Sequence, residues 1–153
     1  MRTYKLGFLS NSIAIKCGKL TDIIEKLDSI LSEIKNERGV YMILSDEVEY
    51  IYPRNTSKVI YIGKSDNFSK RINQHFKRLS SSSQNTDRAL KYLWEDDKYM
   101  YMRNHGANIY FIPLTETELK TEDELECEVM LNFYRKYQGI PVGNKSRNLT
   151  LID

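Results

Sequence analysis

The chain has 153 residues, 41% of them hydrophobic and 29% charged, with a net charge of only +2. That length suits one domain with a core of its own, and the composition is that of an ordinary soluble protein. No apolar run approaches the ~20 residues of a membrane span, and MRTYKLGFLSNS lacks the apolar core of a signal peptide, so a cytoplasmic protein is the expectation.

Two cysteines, Cys17 and Cys127, stand far apart without other metal-type spacing and read as reduced thiols. The charge is unevenly spread. Six cations against one anion give Ser57–Arg78 a net of +5, whereas Thr115–Val129 holds seven acids against Lys120, a net of −6. The basic middle suits a polyanionic partner.

Met1–Cys17 contains two short apolar runs, Leu6–Leu9 and Ile13–Ile15, that read as one or two strands. Thr21 or Asp22 then caps a predicted helix with Ile23, Leu27, Ile30, Leu31 and Ile34 in one stripe, ending near Asn36. No chemistry is evident there. Arg38–Leu44 reads as a strand entered through Gly39. Ser45–Lys58 is polar and reads as a hairpin extension. Val59–Ile62 is the next strand, antiparallel to the first, followed by a turn at Gly63.

From about Asp66 to Leu79 the pattern is helical, with Phe68, Ile72, Phe76 and Leu79 in one stripe and Ser65 or Asp66 as cap. Arg71 and His75, four apart, share a face beside it. Ser80–Thr86 reads as a loop, Asp87–Met100 as a helix with Leu90, Leu93 and Trp94 on one side, and Arg103–Ala107 as a turn. Trp94 is expected in the core and His105 in the loop. Asn108–Pro113 is a third strand. Thr121 caps a last helix to about Tyr137, ended by Gly139, and the tail is irregular.

Common motifs fail. Gly63-Lys64-Ser65 imitates the end of a phosphate-binding loop, but Lys58 stands where its first glycine is needed. With only His75 and His105, a zinc site is not expected.

One ordered series stands out: Gly39-Val40-Tyr41, then Tyr61-Ile62-Gly63, Arg71, His75, an acidic helix after the third strand, and Pro141-Val142-Gly143-Asn144. From Arg38 to Asn144 the chain resembles the GIY-YIG nuclease family, as a stand-alone member. The resemblance implies an α+β fold, a three-stranded antiparallel sheet flanked by helices. Residues 1–37 then form an N-terminal strand and helix extension, 38–144 the nuclease core, and 145–153 a tail. Its implied activity is hydrolysis of phosphodiester bonds with one divalent cation, Mg²⁺ or Mn²⁺. Tyr41 and Tyr61 match the signature tyrosines, Arg71 the arginine that faces the scissile phosphate, and His75 the family's histidine or tyrosine. Lys64 matches a basic residue found after YIG, and Asn144 the asparagine after the proline.

The family places its metal-binding glutamate on the helix after the third strand, with apolar residues three and four further on. Glu126 satisfies this with Val129 and Met130, and Phe133 and Tyr137 continue the stripe; Glu128 has the polar Asn132 at one of those positions. Glu126 is therefore the expected metal ligand, and the other acids of the run suit a helix start. Ser45–Lys58 lengthens the gap between the tyrosines and is an insertion that can contact substrate or a partner.

These residue types suit the chemistry. Hydrolysis needs an oriented water, charge neutralisation on the phosphate and help for the leaving group. Arg71 offers a planar fork for phosphate oxygens. Tyrosine, with an ordinary pKa of ~10, is a poor base unless Lys64, Arg71 or a metal lowers it; His75, at ~6.5, is the alternative base. Lys70, Lys77 and Arg78 supply general phosphate attraction. The expected substrate is nucleic acid, DNA first. One site cuts one strand, so a double-strand break needs a homodimer or a second event. A non-cutting module that binds nucleic acid or protein, or a nuclease that works only with a recruiting partner, are the rivals.

Overall fold

The computed structural model describes residues 3–4, 8–9, 14–25, 34, 36–81 and 97–144. The first three strands and helix are β1 (Thr3–Tyr4), β2 (Ala14–Lys19), α1 (Leu20–Ile23) and β3 (Gly39–Leu44). A small hairpin of β4 (Tyr50–Ile51) and β5 (Thr56–Ser57) precedes β6 (Val59–Ser65) and α2 (Phe68–Ser81). The chain continues through α3 (Asp97–His105), β7 (Asn108–Pro113), a 3₁₀ turn (Leu114–Glu116) and α4 (Glu122–Tyr137).

The fold is α+β. Its main sheet is antiparallel with order β1-β2-β7-β3-β6, and β4 and β5 form a separate two-stranded ribbon. The three expected strands lie together as β7-β3-β6. The sheet is wider than three because β2, from the N-terminal extension, pairs with β7, and β1 pairs with β2.

β3 is buried along its whole length. A strand without polar alternation needs cover on both faces, and helices supply it. Val40, Met42 and Leu44 pack with Leu125, Val129, Met130 and Phe133 of α4. On the opposite face, Tyr41 and Ile43 pack with Phe68 and Ile72 of α2 and Tyr99 and Met102 of α3. The rings of Phe68 and Phe111 stack at 4.2 Å there.

Several boundaries differ from the sequence expectation. Gly63 is a strand residue, not a turn, since β6 runs on to Ser65. The α2 cap is therefore neither Ser65 nor Asp66 but Asn67, whose Oδ1 accepts from the Lys70 N–H at 3.0 Å. α1 begins at Leu20, ahead of Thr21 and Asp22, with no side-chain cap. The rest of its predicted stripe, Leu27 to Leu31, lies outside the described residues, as do the 82–96 stretch with Leu90, Leu93 and Trp94, and the 145–153 tail.

Arg103–His105 is the end of α3 and not a turn; Gly106, at φ 92°, closes that helix by donating to the Met102 carbonyl at 3.0 Å. His105 is therefore helical, and its Nδ1 meets the Tyr50 hydroxyl at 2.8 Å. Thr121 caps α4 as expected, accepting from the Glu124 N–H at 3.2 Å. Gln138 at φ 57°, and not Gly139, takes the left-handed position after it.

Candidate active site

Register places the two signature tyrosines. Tyr41 on β3 stands directly opposite Gly63 on β6, and Tyr61 lies two residues before Gly63 on the same face. Diagonal neighbours of this kind are within reach of aromatic side chains, and the two rings lie 5.9 Å apart. Gly63 makes the arrangement possible. A Cβ there would sit 2.6 Å from both the Tyr41 hydroxyl and the Tyr61 ring. Gly39 is needed for a similar reason, since its Cβ would fall 2.1 Å from the Ile112 carbonyl oxygen.

α2 lays its polar face against these rings. His75 is only 4% exposed, and its Nε2 meets the Tyr41 hydroxyl at 2.6 Å while its Nδ1 meets the Tyr99 hydroxyl of α3 at 2.8 Å. Arg71, one turn earlier, is exposed. Tyr41, Tyr61, Arg71 and His75 thus line one cleft of about 440 Å³, together with Lys77 and Arg78. Lys70 lies outside that lining, on the exposed side of α2.

Among the described residues, Gln74, Lys98 and Tyr99 complete the cleft, and sequence reasoning missed them. Gln74 was findable: Arg71, Gln74, His75 and Arg78 fall at spacings of three, one and three, a single helix face. Lys98 and Tyr99 carried no such signal. Lys98 is buried, with its ammonium 4.7 Å from the centre of the Tyr61 ring and 5.2 Å from that of Tyr99.

The remaining expected residues sit around the outer edge of β6. Lys64 stands opposite Val40, which packs with α4, so it faces the other side of the sheet from the tyrosines. It pairs with Asp123 in the first turn of α4, and its ammonium is not in the cleft lining. Glu126 is half-buried, whereas Glu128 is exposed. Burial pushes the Glu126 carboxyl above its ordinary value, against the opposing pull of the Lys64 charge, the Lys64 backbone N–H and Arg71. The Arg71 charge also acts on Tyr41. Arg71 is therefore electrostatically linked to both faces of the site.

Asn144, matched above to the family's asparagine after the proline, is bound to the edge of β6. Its Oδ1 accepts from the Ile62 N–H at 3.0 Å and its Nδ2 donates to the Ile62 carbonyl at 2.9 Å. One residue before it, the Gly143 N–H donates to the Ile60 carbonyl at 2.7 Å. Ile60 and Ile62 point their backbone groups to the open edge of β6, and Gly143 and Asn144 satisfy them in turn.

Tyr41 is fully buried, and burial holds its phenol well above the ordinary value despite the opposing Arg71 charge. It is a neutral hydroxyl at neutral pH. Among the described residues no cluster of three or more His, Cys, Asp or Glu could chelate a metal, and no helix is long and apolar enough to cross a membrane. Both cysteines are free thiols.

Searches of curated proteins and of solved structures give no match. A family model does match: the GIY-YIG catalytic domain aligns with residues 37–125, more than half of the chain, ending one residue before Glu126. With the two tripeptides on paired strands, Tyr41 opposite Gly63, the chain belongs to the GIY-YIG nuclease family.

Proposed function

We propose that the protein is a divalent-metal-dependent endonuclease that hydrolyses phosphodiester bonds of DNA, with one site per chain. The observation that carries this reading is the single cleft in which Tyr41, Tyr61, Arg71 and His75 meet with Lys77, Arg78 and Lys98. Four cations around a hydrogen-bonded phenol–imidazole pair suit a phosphate whose neighbouring water must lose a proton.

The donor set is one half-buried carboxylate, Glu126. It suits Mg²⁺ or Mn²⁺, which keep much of their water and accept phosphate oxygens as further ligands. A carboxyl raised by burial is one whose negative charge is under-compensated, and a cation relieves that. When bound, the ion supplies charge neutralisation beside the leaving oxygen.

The chain's own groups do the rest. Arg71 clamps the non-bridging oxygens and stabilises the charge that develops there. Lys77, Arg78 and Lys98 attract and seat the phosphate backbone. Tyr41 and His75 act as a unit. Tyr41 alone is too weakly acidic to serve as base, but its bond to Nε2 lets it take a water proton while passing its own to the imidazole. Tyr61 packs its ring against that of Tyr41 and orients it. In this reading Asn144, Lys64 and Gly143 position β6 and α4.

A nuclease that works with a recruiting partner is favoured by one observation. Ile51, on the hairpin inserted between the signature tyrosines, is 88% exposed. A cytoplasmic location belongs to the same reading, supported by the unpaired thiols.

The test is a panel of supercoiled, linear, nicked and branched DNA with RNA, each with Mg²⁺, with Mn²⁺ and with EDTA. Metal-dependent cutting of at least one DNA form is expected. Salt-sensitive binding without cutting of any form would favour the non-enzymatic module, and cutting of RNA alone would overturn the substrate.

A further inference from the structure

His75 is held between two phenols that come from different parts of the chain. Tyr41 is a signature residue. Tyr99 is not: it lies in the first turn of α3, is 2% exposed, and places its hydroxyl 2.8 Å from Nδ1. α3 is itself wedged in place. The Lys98 stem packs where Gly143 has no side chain, 2.8 Å from the position a Cβ would take, and its ammonium contacts the rings of Tyr61 and Tyr99.

A neutral imidazole carries one ring proton, so one nitrogen donates and the other accepts, and the partners decide which. With the proton on Nδ1, the ring donates to Tyr99 and turns the Nε2 lone pair toward the Tyr41 hydroxyl. With the proton on Nε2, the ring offers Tyr41 no acceptor, and Tyr41 cannot pass a proton on. Only the first tautomer serves hydrolysis. Among the described residues, the charged groups lining the same cleft, Arg71, Lys77, Arg78 and Lys98, are all cations and oppose an imidazolium there. Among the described residues, Tyr41, Tyr61 and Tyr99 are neutral groups that face the ring. An oxygen acceptor on Nδ1 is then the group that eases protonation of Nε2.

We propose, resting on the hydrolytic reading above, that Tyr99 is a positioning residue that accepts the Nδ1–H of His75 and so keeps Nε2 as the proton acceptor of Tyr41. In the hydrolytic step a water proton moves to the Tyr41 oxygen as the Tyr41 proton moves to Nε2. The water oxygen forms the new bond to phosphorus, and the bond from phosphorus to the leaving oxygen breaks. The leaving oxygen takes a proton from solvent. The imidazolium, donating to Tyr41 and Tyr99 from its two nitrogens, returns its proton to solvent and the cycle closes.

The test reads the tautomer directly. Nitrogen-15 spectra of the imidazoles in the full chain contain only His75 and His105, and a His105→Gln variant assigns them. Wild-type His75 is expected to show a protonated Nδ1 and an unprotonated Nε2. Tyr99→Phe is expected to move the ring toward the Nε2–H form that histidine prefers in water. The same variant is expected to lower kcat about 10- to 100-fold with KM little changed, and to shift the acid limb of the pH–rate profile.

A wild-type ring protonated on Nε2 would overturn the proposal, and so would a Tyr99→Phe protein with unchanged spectrum and kcat. If that variant does not fold, the wild-type spectrum decides alone. A wild-type protein with the Nδ1–H tautomer that cuts nothing supports the positioning and overturns the hydrolytic reading.

Discussion

Gly63 and Tyr41 show how little room the site leaves at the level of single residues. The phenol occupies the space a side chain at Gly63 would need. Gly63→Ala forces Tyr41 or Tyr61 aside, an overpacking that costs about 1–3 kcal/mol. Thermal melts should show a folded, destabilised protein, and its nicking rate should fall more than its stability does. An unchanged rate would mean that the tyrosine geometry is unimportant. Burial also sets a pH limit. It raises Cys17, Tyr50 and Tyr52 to about 12, and Tyr41 well above its ordinary value. Each is favoured in its protonated form by the fold, so below pH ~9 these groups leave stability flat. As pH rises from ~9 toward 12 the unfolded chain releases protons first, and stability falls. Urea midpoints measured from pH 7 to 11 should be level and then decline, and a rise above pH 9 would contradict the burial of these groups.

At the level of elements, the open edge of β6 ties the site together. Ile60 and Ile62 are satisfied by Gly143 and Asn144, and Lys64 pairs with Asp123, so the 141–144 segment and α4 are both tied to the strand that carries Tyr61. Asn144→Asp keeps an acceptor for the Ile62 N–H but turns an oxygen toward the Ile62 carbonyl. A loss of about 1–3 kcal/mol is expected in denaturant melts, with weaker cutting as a consequence of the displaced edge. A stable variant that merely binds DNA less tightly would instead make Asn144 a substrate contact. The strands and the stripes of α2 and α4 were legible in the sequence because apolar period and signature residues agree there. Helix ends were less so. Asn67 and Gln138 took the positions expected of Asp66 and Gly139, since the first depends on where β6 stops and the second on a left-handed turn that glycine merely favours. Lys98 and Tyr99 were illegible because their meaning comes only from packing against Gly143 and His75. The Ile13–Ile15 run reads as strand, but nothing in its sequence says that β7 is the neighbour of β2.

For the whole molecule, net charge says little and its placement says more. The overall +2 conceals a cleft lined by Arg71, Lys77, Arg78 and Lys98 on one side of β6, and the acidic start of α4 on the other. Nucleic acid should therefore bind with a steep salt dependence. Replacing both Lys77 and Arg78 by alanine should lower the slope of log affinity against log salt by about 2, nearly equally for all sequences. A slope that does not change would place the bound strand elsewhere. The proposed hydrolysis requires the cleft and Glu126 to form one site around the edge of β6. Nicking of supercoiled plasmid in Mg²⁺ by the wild type, Arg71→Ala and Glu126→Ala measures that most directly. Metal-dependent nicking by the wild type is expected, with losses of at least about 100-fold in both variants and the fold intact. Nicking at the wild-type rate by either folded variant would contradict it.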